Sequence, residues 1–224
     1  MNKKICAILL ASGTGSRMNS KVKKQFMEIN SKPLFYYSLK TISEVECIKE
    51  IIVVTGKEDI NYVNGLIKEF KFDKVHNVIA GGERRQDSVY NALKIIDKTY
   101  DFVLIHDAAR PLVNGKDIEN VIEDGISYGC ATLGVKVKDT IKTVDENGFS
   151  QNTLNRDELI SVQTPQVAKL DILLNGHTEF RDTLFTDDTM VMEKMGVKTK
   201  ITIGSYSNIK ITTSEDLIYL KELM

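Results

Sequence analysis

The sequence predicts an α/β fold in which a mostly parallel sheet is covered on both faces by helices. Short apolar runs rich in β-branched residues recur along the first half of the chain, as at 5–11 and 51–54. Segments with helical periodicity separate these runs. Strand–helix–strand units of this kind join parallel strands through right-handed crossovers. Because such sheets bind ligands beyond the carboxyl ends of their strands, the residues after each strand are the candidates for function.

The first strand and the loop after it have the features of a phosphate-binding site. Residues 5–11 are almost entirely apolar, which is typical of a strand buried on both faces. Residues 12–18 (SGTGSRM) contain two glycines, which let backbone N–H groups approach a phosphate closely. Arg17 and the lysines within 21–24 supply the charge that a polyphosphate requires. The loop lacks the third glycine of the dinucleotide fingerprint and the Gly-Lys-Ser/Thr of ATPases. A tight turn with a solvated basic face is the alternative.

The strand and helix pattern then repeats in order. Pro33 opens a helix with apolar residues at roughly helical spacing, and strand 51–54 completes the first unit. A helical stripe over 59–70, a strand at 75–80, a helix around 89–96 and a strand at 102–105 follow. This alternation is the basis of the parallel-sheet prediction.

Two polar segments follow strands of this series. The segment 81–88 (GGERRQDS) precedes a helix, so its backbone donors and side chains could reach a base or phosphate. Ser88 could equally be an ordinary polar residue of the first helical turn. The segment 106–111 (HDAARP) offers a carboxylate suited to Mg²⁺, which takes one or two carboxylates besides phosphate oxygens and water. Asp107 could instead cap a turn or pair with Arg110.

The alternation breaks after residue 132. Residues 134–144 alternate apolar and polar side chains, DENG at 145–148 indicates a turn, and a second extended stretch reaches 162, which predicts a hairpin. A hairpin without a covering helix would pack against a second subunit. The rest of the chain predicts helices at 167–174 and around 190–195, a strand at 198–203 and a closing helix from Ser214. We expect one domain over 1–224 with a β-arm at about 136–160.

Composition excludes several classes of protein. A net charge of −1 over 224 residues gives no bulk attraction to nucleic acid or to a membrane. The three cysteines are far apart and odd in number, which favours reduced thiols in a cytoplasmic protein over a disulfide framework or a zinc site. The apolar run after Met1 is short and has no cleavage site, so a signal peptide is not predicted. A hydrolase triad is not predicted either, because His106 and His177 have no nucleophile elbow.

Eight segments spread over the chain resemble the 2-C-methyl-D-erythritol 4-phosphate cytidylyltransferase family. They are LASGTGSRM at 10–18, KQF at 24–26, GGER at 81–84, DSV at 87–89, HDAARP at 106–111, DTIK at 139–142, TPQ at 164–166 and NIK at 208–210. The resemblance implies a three-layer, Rossmann-like nucleotidyltransferase fold and a homodimer formed through an extended β-arm. The implied reaction, in the non-mevalonate isoprenoid pathway, joins CTP and 2-C-methyl-D-erythritol 4-phosphate with release of pyrophosphate.

The resemblance also implies roles for individual residues. The nucleotide site would comprise Ala11, Ser12, Gly13, Thr14, Gly15, Gly82, Glu83 and Ser88. The triphosphate would be held by the catalytic residues Arg17, Lys24 and Lys210, and Mg²⁺ by Asp107. The polyol phosphate would contact Asp107, Arg110 and Thr186 of its own subunit, and Thr140 and Arg156 on the arm of the other subunit. The chain departs from the family at Lys23, where proline is usual, and at Ser12, where alanine is common.

Three other functions share part of this pattern. A ribitol 5-phosphate cytidylyltransferase would share the nucleotide loop, but the arm segment 139–142 and Ala109 favour methylerythritol phosphate. A CTP-binding regulator without catalysis would not need Arg17, Lys24, Asp107 and Lys210 together. A glycosyltransferase of similar architecture would want an Asp-x-Asp metal pair where HDAA offers one carboxylate.

Overall fold

The computed structural model describes residues 3–13 and 22–224. Three residues with predicted roles, Thr14, Gly15 and Arg17, lie outside the described residues. The strands are β1 Ile5–Ala11, β2 Glu28–Ile29, β3 Lys32–Pro33, β4 Ile48–Thr55, β5 Val75–Ala80, β6 Phe102–Asp107, β7 Cys130–Lys136, β8 Lys142–Val144, β9 Ser150–Thr153, β10 Ile160–Lys169 and β11 Lys200–Ile203. The helices are α1 Leu34–Glu44, α2 Ile60–Phe70, α3 Arg85–Leu93, α4 Gly115–Tyr128, α5 Leu170–Glu179, α6 Asp188–Lys194 and α7 Ser214–Leu223.

A seven-stranded sheet forms the centre of the described part of the chain, in the order β11-β7-β10-β6-β1-β4-β5. β1 is parallel to both of its neighbours, β4 and β6. β10 is antiparallel to β6 and β7, and the remaining pairs are parallel. The mostly parallel sheet predicted from the sequence is therefore confirmed.

Alternate residues of β1 belong to two separate hydrophobic clusters, one on each face of the sheet. Ile5, Ala7 and Leu9 pack in the cluster that includes side chains of α1, α2 and α4. Cys6 and Ile8 pack in the cluster formed with α3, α5 and α6. Because side chains of a strand alternate between faces, a strand that is apolar at every position must be covered on both. The result is a three-layer α/β/α arrangement.

The structure corrects the prediction of a helix at 167–174. Residues 167–169 belong to β10, where Val167 and Ala168 pair with Leu104 and Val103 of β6, and helix α5 begins only at Leu170. Val167 and Ala168 are buried within the sheet, so tertiary pairing overrides the local helical pattern. Helix α4, which the sequence pattern did not reveal, covers β7 and β10.

The predicted hairpin around DENG is present, but its paired part is short. β8 and β9 form a separate two-stranded antiparallel sheet whose residues are all exposed. Phe149 beside its turn is 72% exposed. No described helix is both long and apolar enough to cross a membrane.

Candidate active site

A cavity of about 370 Å³ lies where β1, β5 and β6 reach their carboxyl ends. Its lining includes Ala11, Ser12, Gly13, Lys24, Gly82, Glu83, Ser88, Asp107 and Lys210. These are the residues of the predicted nucleotide and triphosphate sites that the structure describes, together with Asp107, the residue predicted to hold Mg²⁺. Sequence segments almost 200 positions apart therefore meet at the edge of the sheet that parallel topology favours for ligands.

The loop after β5 packs too closely against the residue after β1 and against α3 to carry side chains. A Cβ at Gly81 would lie 2.7 Å from Cβ of Ser12, and one at Gly82 would lie 2.3 Å from Cβ of Asp87. The hydroxyl of Ser88 accepts a hydrogen bond from the Gly82 N–H at 3.0 Å and lies 3.2 Å from the Ser12 hydroxyl. Ser88 thus belongs to the first turn of α3, fixes the loop, and also lines the cavity.

Asp107 is the last residue of β6, and its carboxylate lies between two cations. Lys210 Nζ donates to its Oδ2 at 2.6 Å, and Arg85 Nε donates to its Oδ1 at 3.4 Å. Burial alone would raise the pKa of Asp107, but the charges of Arg85 and Lys210 outweigh it and hold that pKa well below its usual range. Asp107 is therefore ionised. The alternative pairing with Arg110 is absent from the described contacts, although the Arg110 N–H donates to the backbone oxygen of Asp107.

A chain of hydrogen bonds behind Asp107 fixes its backbone. The Asp107 N–H donates to Thr164 Oγ1 at 3.1 Å, and Thr164 Oγ1 lies 3.0 Å from His106 Nδ1. His106 Nε2 lies 3.2 Å from the carbonyl oxygen of Arg110. Since a carbonyl only accepts, Nε2 carries the proton and Nδ1 accepts from the Thr164 hydroxyl. Burial lowers the pKa of His106 to about 4, so the ring is neutral and both its nitrogens are engaged. His106 is not placed to act as a general base.

A second cavity, of about 230 Å³, adjoins the first. Arg85, Asp107 and Lys210 line both cavities and so form the wall between them. Arg110 and Thr186, two of the predicted polyol phosphate residues, line the second cavity. The guanidinium of Arg110 donates to the carbonyl oxygen of Asn208 at 2.8 Å. The described residues predicted to bind the nucleotide therefore line one cavity, Arg110 and Thr186 line the other, and the Arg85–Asp107–Lys210 cluster borders both.

The structure does not bring Thr140 and Arg156 to these cavities. Both are exposed residues of the arm, and neither contributes to the lining of the two cavities as described. Arg156 Nη1 donates to the carbonyl oxygen of Lys138 within the arm at 2.9 Å. Within one chain, then, these two residues are separated from the rest of the predicted site.

The carboxylate of Asp107 fits a divalent cation that is held mainly by phosphate oxygens. No group of three or more His, Cys, Asp or Glu side chains suited to a metal occurs in the described part of the chain. Asp107 supplies a single ionised carboxylate at the wall of both cavities. Mg²⁺ often uses one or two protein carboxylates and takes its other ligands from substrate phosphates and water.

Arg85 and Asp188 were not identified from the sequence. Two arginines are adjacent in GGERR, and the pattern does not tell which one points inward. Arg84 forms a surface pair with Asp87, whereas Arg85 Nη1 donates to the buried Asp188 at 2.8 Å. The segment FTDD at 185–188, which contains Asp188, indicated only a polar turn. These contacts depend on tertiary packing and have no local signature.

Comparisons with known proteins identify the family of this chain. Residues 5–224 match the family model described as 2-C-methyl-D-erythritol 4-phosphate cytidylyltransferase. A relative of that name from Clostridium botulinum (strain 657 / Type Ba4) is 46% identical over 219 residues, covering 97% of this chain and 96% of the relative. One from Clostridium perfringens (strain SM101 / Type A) is 47% identical over 218 residues, covering 96% of each.

Solved structures give the same answer. The crystal structure of 4-diphosphocytidyl-2C-methyl-D-erythritol synthase from Anaerococcus prevotii DSM 20548 superposes with a TM-score of 0.87 at 30% identity, covering 99% of this chain and 96% of that one. The Francisella tularensis 2-C-methyl-D-erythritol 4-phosphate cytidylyltransferase gives a TM-score of 0.83 at 30% identity, covering 99% and 100%. The family match extends over nearly the whole chain, including both cavities and the arm. The chain therefore belongs to the 2-C-methyl-D-erythritol 4-phosphate cytidylyltransferase family.

Proposed function

We propose that this chain transfers the cytidylyl group of CTP to 2-C-methyl-D-erythritol 4-phosphate and releases pyrophosphate. Family membership over residues 5–224 supports the reaction. The observation that carries the proposal is the wall of Arg85, Asp107 and Lys210 shared by two adjoining cavities. A nucleotide in the first cavity and a polyol phosphate in the second would come into contact beside these three residues.

The chemistry requires positioning and charge more than it requires a base. A phosphate monoester has a second pKa of about 6, so the attacking oxygen is already largely ionised near neutrality. It attacks the α-phosphorus of CTP in line, and pyrophosphate leaves. This agrees with a site in which His106 is neutral and fully hydrogen bonded. The protein's task is then to hold two anions together and to neutralise charge that moves toward the leaving group.

Lysine and arginine side chains supply that neutralisation in this proposal. Lys24 and Lys210 line the first cavity and would hold the triphosphate together with Arg17. Arg110 and Thr186 line the second cavity and would hold the polyol phosphate. Ala11, Ser12, Gly13, Gly82, Glu83 and Ser88 would enclose the cytidine, with Thr14 and Gly15 completing the nucleotide loop.

Asp107 would hold the Mg²⁺ ion that the family's chemistry implies. When bound, such an ion neutralises phosphate charge during nucleotidyl transfer. Asp107 is suited to this because it is ionised and lines both cavities. Its backbone is fixed through Thr164 and His106, which restricts where the carboxylate can point.

The exposed arm supports a homodimer as part of the proposal. Phe149 and Val144 on the arm are 72% and 60% exposed, which is an unfavourable arrangement for a solvated hairpin. In a two-fold dimer each arm would reach the second cavity of the other subunit, bringing Thr140 and Arg156 to the polyol phosphate.

The three thiols, all free, favour a cytoplasmic protein.

Pyrophosphate release tests the function. The purified chain is incubated with CTP and Mg²⁺, and with either 2-C-methyl-D-erythritol 4-phosphate or ribitol 5-phosphate at equal concentration. Strong preference for the methylerythritol phosphate is expected. Preference for ribitol 5-phosphate would be compatible with the nucleotide site but would contradict the proposed substrate. No pyrophosphate release with either substrate would contradict catalysis.

A further inference from the structure

Arg85 lies between two carboxylates and is held unequally by them. Its Nη1 donates to Oδ2 of Asp188 at 2.8 Å, whereas its Nε donates to Oδ1 of Asp107 at 3.4 Å. The third nitrogen, Nη2, is buried and has no hydrogen-bond partner within the described residues. The stronger anchor of the guanidinium is therefore Asp188, and its contact with Asp107 is loose.

Asp188 lies behind Arg85, away from the two cavities. It is 2% exposed, and it does not appear in the described lining of either cavity. As the first residue of α6, it donates its backbone N–H to Oε1 of Gln166 at 3.0 Å. His177 Nε2 lies 3.5 Å from its Oδ1. Strand β10 thus holds the backbone of Asp188, while its carboxylate lies beside His177 of α5 and accepts from Arg85. No substrate in the described cavities would contact Asp188 directly.

The pairing of Arg85 with Asp188 bears on how firmly its guanidinium can bind Asp107. An arginine with one carboxylate neighbour tends to form a two-bond pair with it, because the guanidinium fork matches the two oxygens. Arg85 is partly buried, so without a second partner it would be driven toward Asp107 more strongly still, since leaving its charge unpaired is costly. Such a pair would occupy Asp107, which also receives Lys210. In the structure, Asp188 instead holds the other end of the guanidinium.

We propose that Asp188 is a positioning residue for the transfer reaction: it anchors Arg85 and so keeps that guanidinium from closing on Asp107 at the wall between the two cavities. The inference rests on the proposed function, because it concerns turnover at the same site. The proposed positioning contacts run from Asp107 through Arg85 to Asp188, which lies outside both described cavities.

The variant Asp188→Asn tests this with little change in shape. We expect kcat to fall tenfold or more, since small displacements of reacting groups are known to cost up to about a hundredfold. The KM for CTP and the equilibrium affinity for CTP should stay within about twofold, because Asp188 does not line the nucleotide cavity as described. Asp188→Glu keeps the anchoring charge and should retain kcat within about threefold. Equal loss in both variants would overturn the anchoring role.

A double-variant comparison separates action through Arg85 from an independent effect. Arg85→Met should lower kcat, and adding Asp188→Asn to it should cost less than a further twofold. This pair of proteins remains informative even if Asp188→Asn alone does not fold, because the double variant removes both charges of the Arg85–Asp188 pair and leaves neither unpaired. A tenfold further loss in the double variant would show that Asp188 acts without Arg85.

Thr202→Val is the matched control for loss of a buried polar contact. Thr202 of β11 donates to Asp124 of α4 at 2.6 Å and lines neither described cavity. It should lower the thermal midpoint without lowering kcat. A matching kcat loss in this control, or normal kcat in Asp188→Asn, would overturn the inference. Absence of turnover in the unsubstituted protein would instead contradict the proposed function.

Discussion

The ammonium nitrogen of Lys210 lies 2.6 Å from Oδ2 of Asp107, joining the loop before α7 to the carboxyl end of β6. The lysine side chain is 40% exposed and the aspartate side chain 10%. The pair therefore lies at the open wall between the cavities, where an entering phosphate would meet Lys210 from solvent. Its position suggests that substrate binding and the ion pair compete for the same ammonium group.

Loss of the Lys210 charge should impair turnover strongly. We predict that Lys210→Met lowers kcat by about a hundredfold or more, the scale for removal of one group that stabilises developing charge. Steady-state pyrophosphate release measures this. Lys198→Met, a change at an exposed lysine outside the described cavity linings, is the matched control and should leave kcat unchanged. Near-normal turnover in Lys210→Met would remove Lys210 from the catalytic set.

The nucleotide loop should contribute two further charges. Arg17→Ala and Lys24→Ala are each expected to lower kcat by about a hundredfold or more. Rapid-quench measurement of the first turnover distinguishes a loss in chemistry from a loss in product release. If both variants kept near-normal rates, the triphosphate would have to be held by other groups.

Substitution of Asp107 should abolish the Mg²⁺-dependent turnover. Asp107→Asn keeps the size of the side chain but not its charge, and we expect no measurable Mg²⁺-dependent turnover. Activity is measured over a range of Mg²⁺ concentrations, with Asp124→Asn on α4 as a control outside the described cavities. Activity that persisted in Asp107→Asn with unchanged metal dependence would require another metal ligand.

Mixed dimers should show whether the arm completes the site of the other subunit. Lys24→Ala removes a residue that lines the home cavity, and Arg156→Ala removes one on the arm. A heterodimer of the two variants would contain one site with both defects and one with neither, so part of the activity should return. Subunit exchange is verified by differently tagged chains. No recovery in verified heterodimers would place both residues in the same subunit's site.

The buried neutral His106 predicts a specific loss of stability in mild acid. Burial lowers its pKa from 6.5 to about 4, so between these values the unfolded chain binds the proton more readily than the folded one. The contribution of His106 to the free energy of unfolding should therefore be constant above about pH 6.5. It should fall by on the order of 3 kcal/mol as the pH drops toward 4. The lowered pKa values of Asp107 and Asp188 make stability depend on pH only below this range.

Urea unfolding at pH 7.5 and pH 5 measures this dependence. His106→Gln should be less stable than the unsubstituted protein at pH 7.5 and should lose less stability on acidification. His76→Gln, at an exposed histidine of β5, is the control. An unchanged acid sensitivity in His106→Gln would contradict the assignment.

The sequence was informative where local chemistry determines structure. An apolar β1, the glycines of residues 81–82 and the carboxylate at the end of β6 have recognisable patterns, and the structure brings them together as parallel topology requires. The β8–β9 hairpin was foreseen from its turn residues. Helix α5 was misplaced because Val167 and Ala168 are suited to either structure, and pairing with β6 decides between them.

The contacts that hold the site were beyond sequence reasoning. Arg85 reaches Asp188 across 103 positions, and Thr164 reaches Asp107 across 57. Such partners are selected by the packing of α3, α6 and β10, and polar residues at those positions have no local signal that distinguishes them from surface residues. Sequence therefore identified the residues that face the cavities better than it identified those behind them.

The most direct test of the account follows the oxygen atoms of the substrate phosphate. The protein is supplied with CTP and with 2-C-methyl-D-erythritol 4-phosphate whose phosphate oxygens carry ¹⁸O, and both products are analysed by mass spectrometry. Direct in-line attack on the α-phosphorus predicts that all the label stays in 4-diphosphocytidyl-2-C-methyl-D-erythritol and that the pyrophosphate is unlabelled. Label in the pyrophosphate would contradict attack at the α-phosphorus, and with it the central claim of a cytidylyl transfer driven by the substrate phosphate.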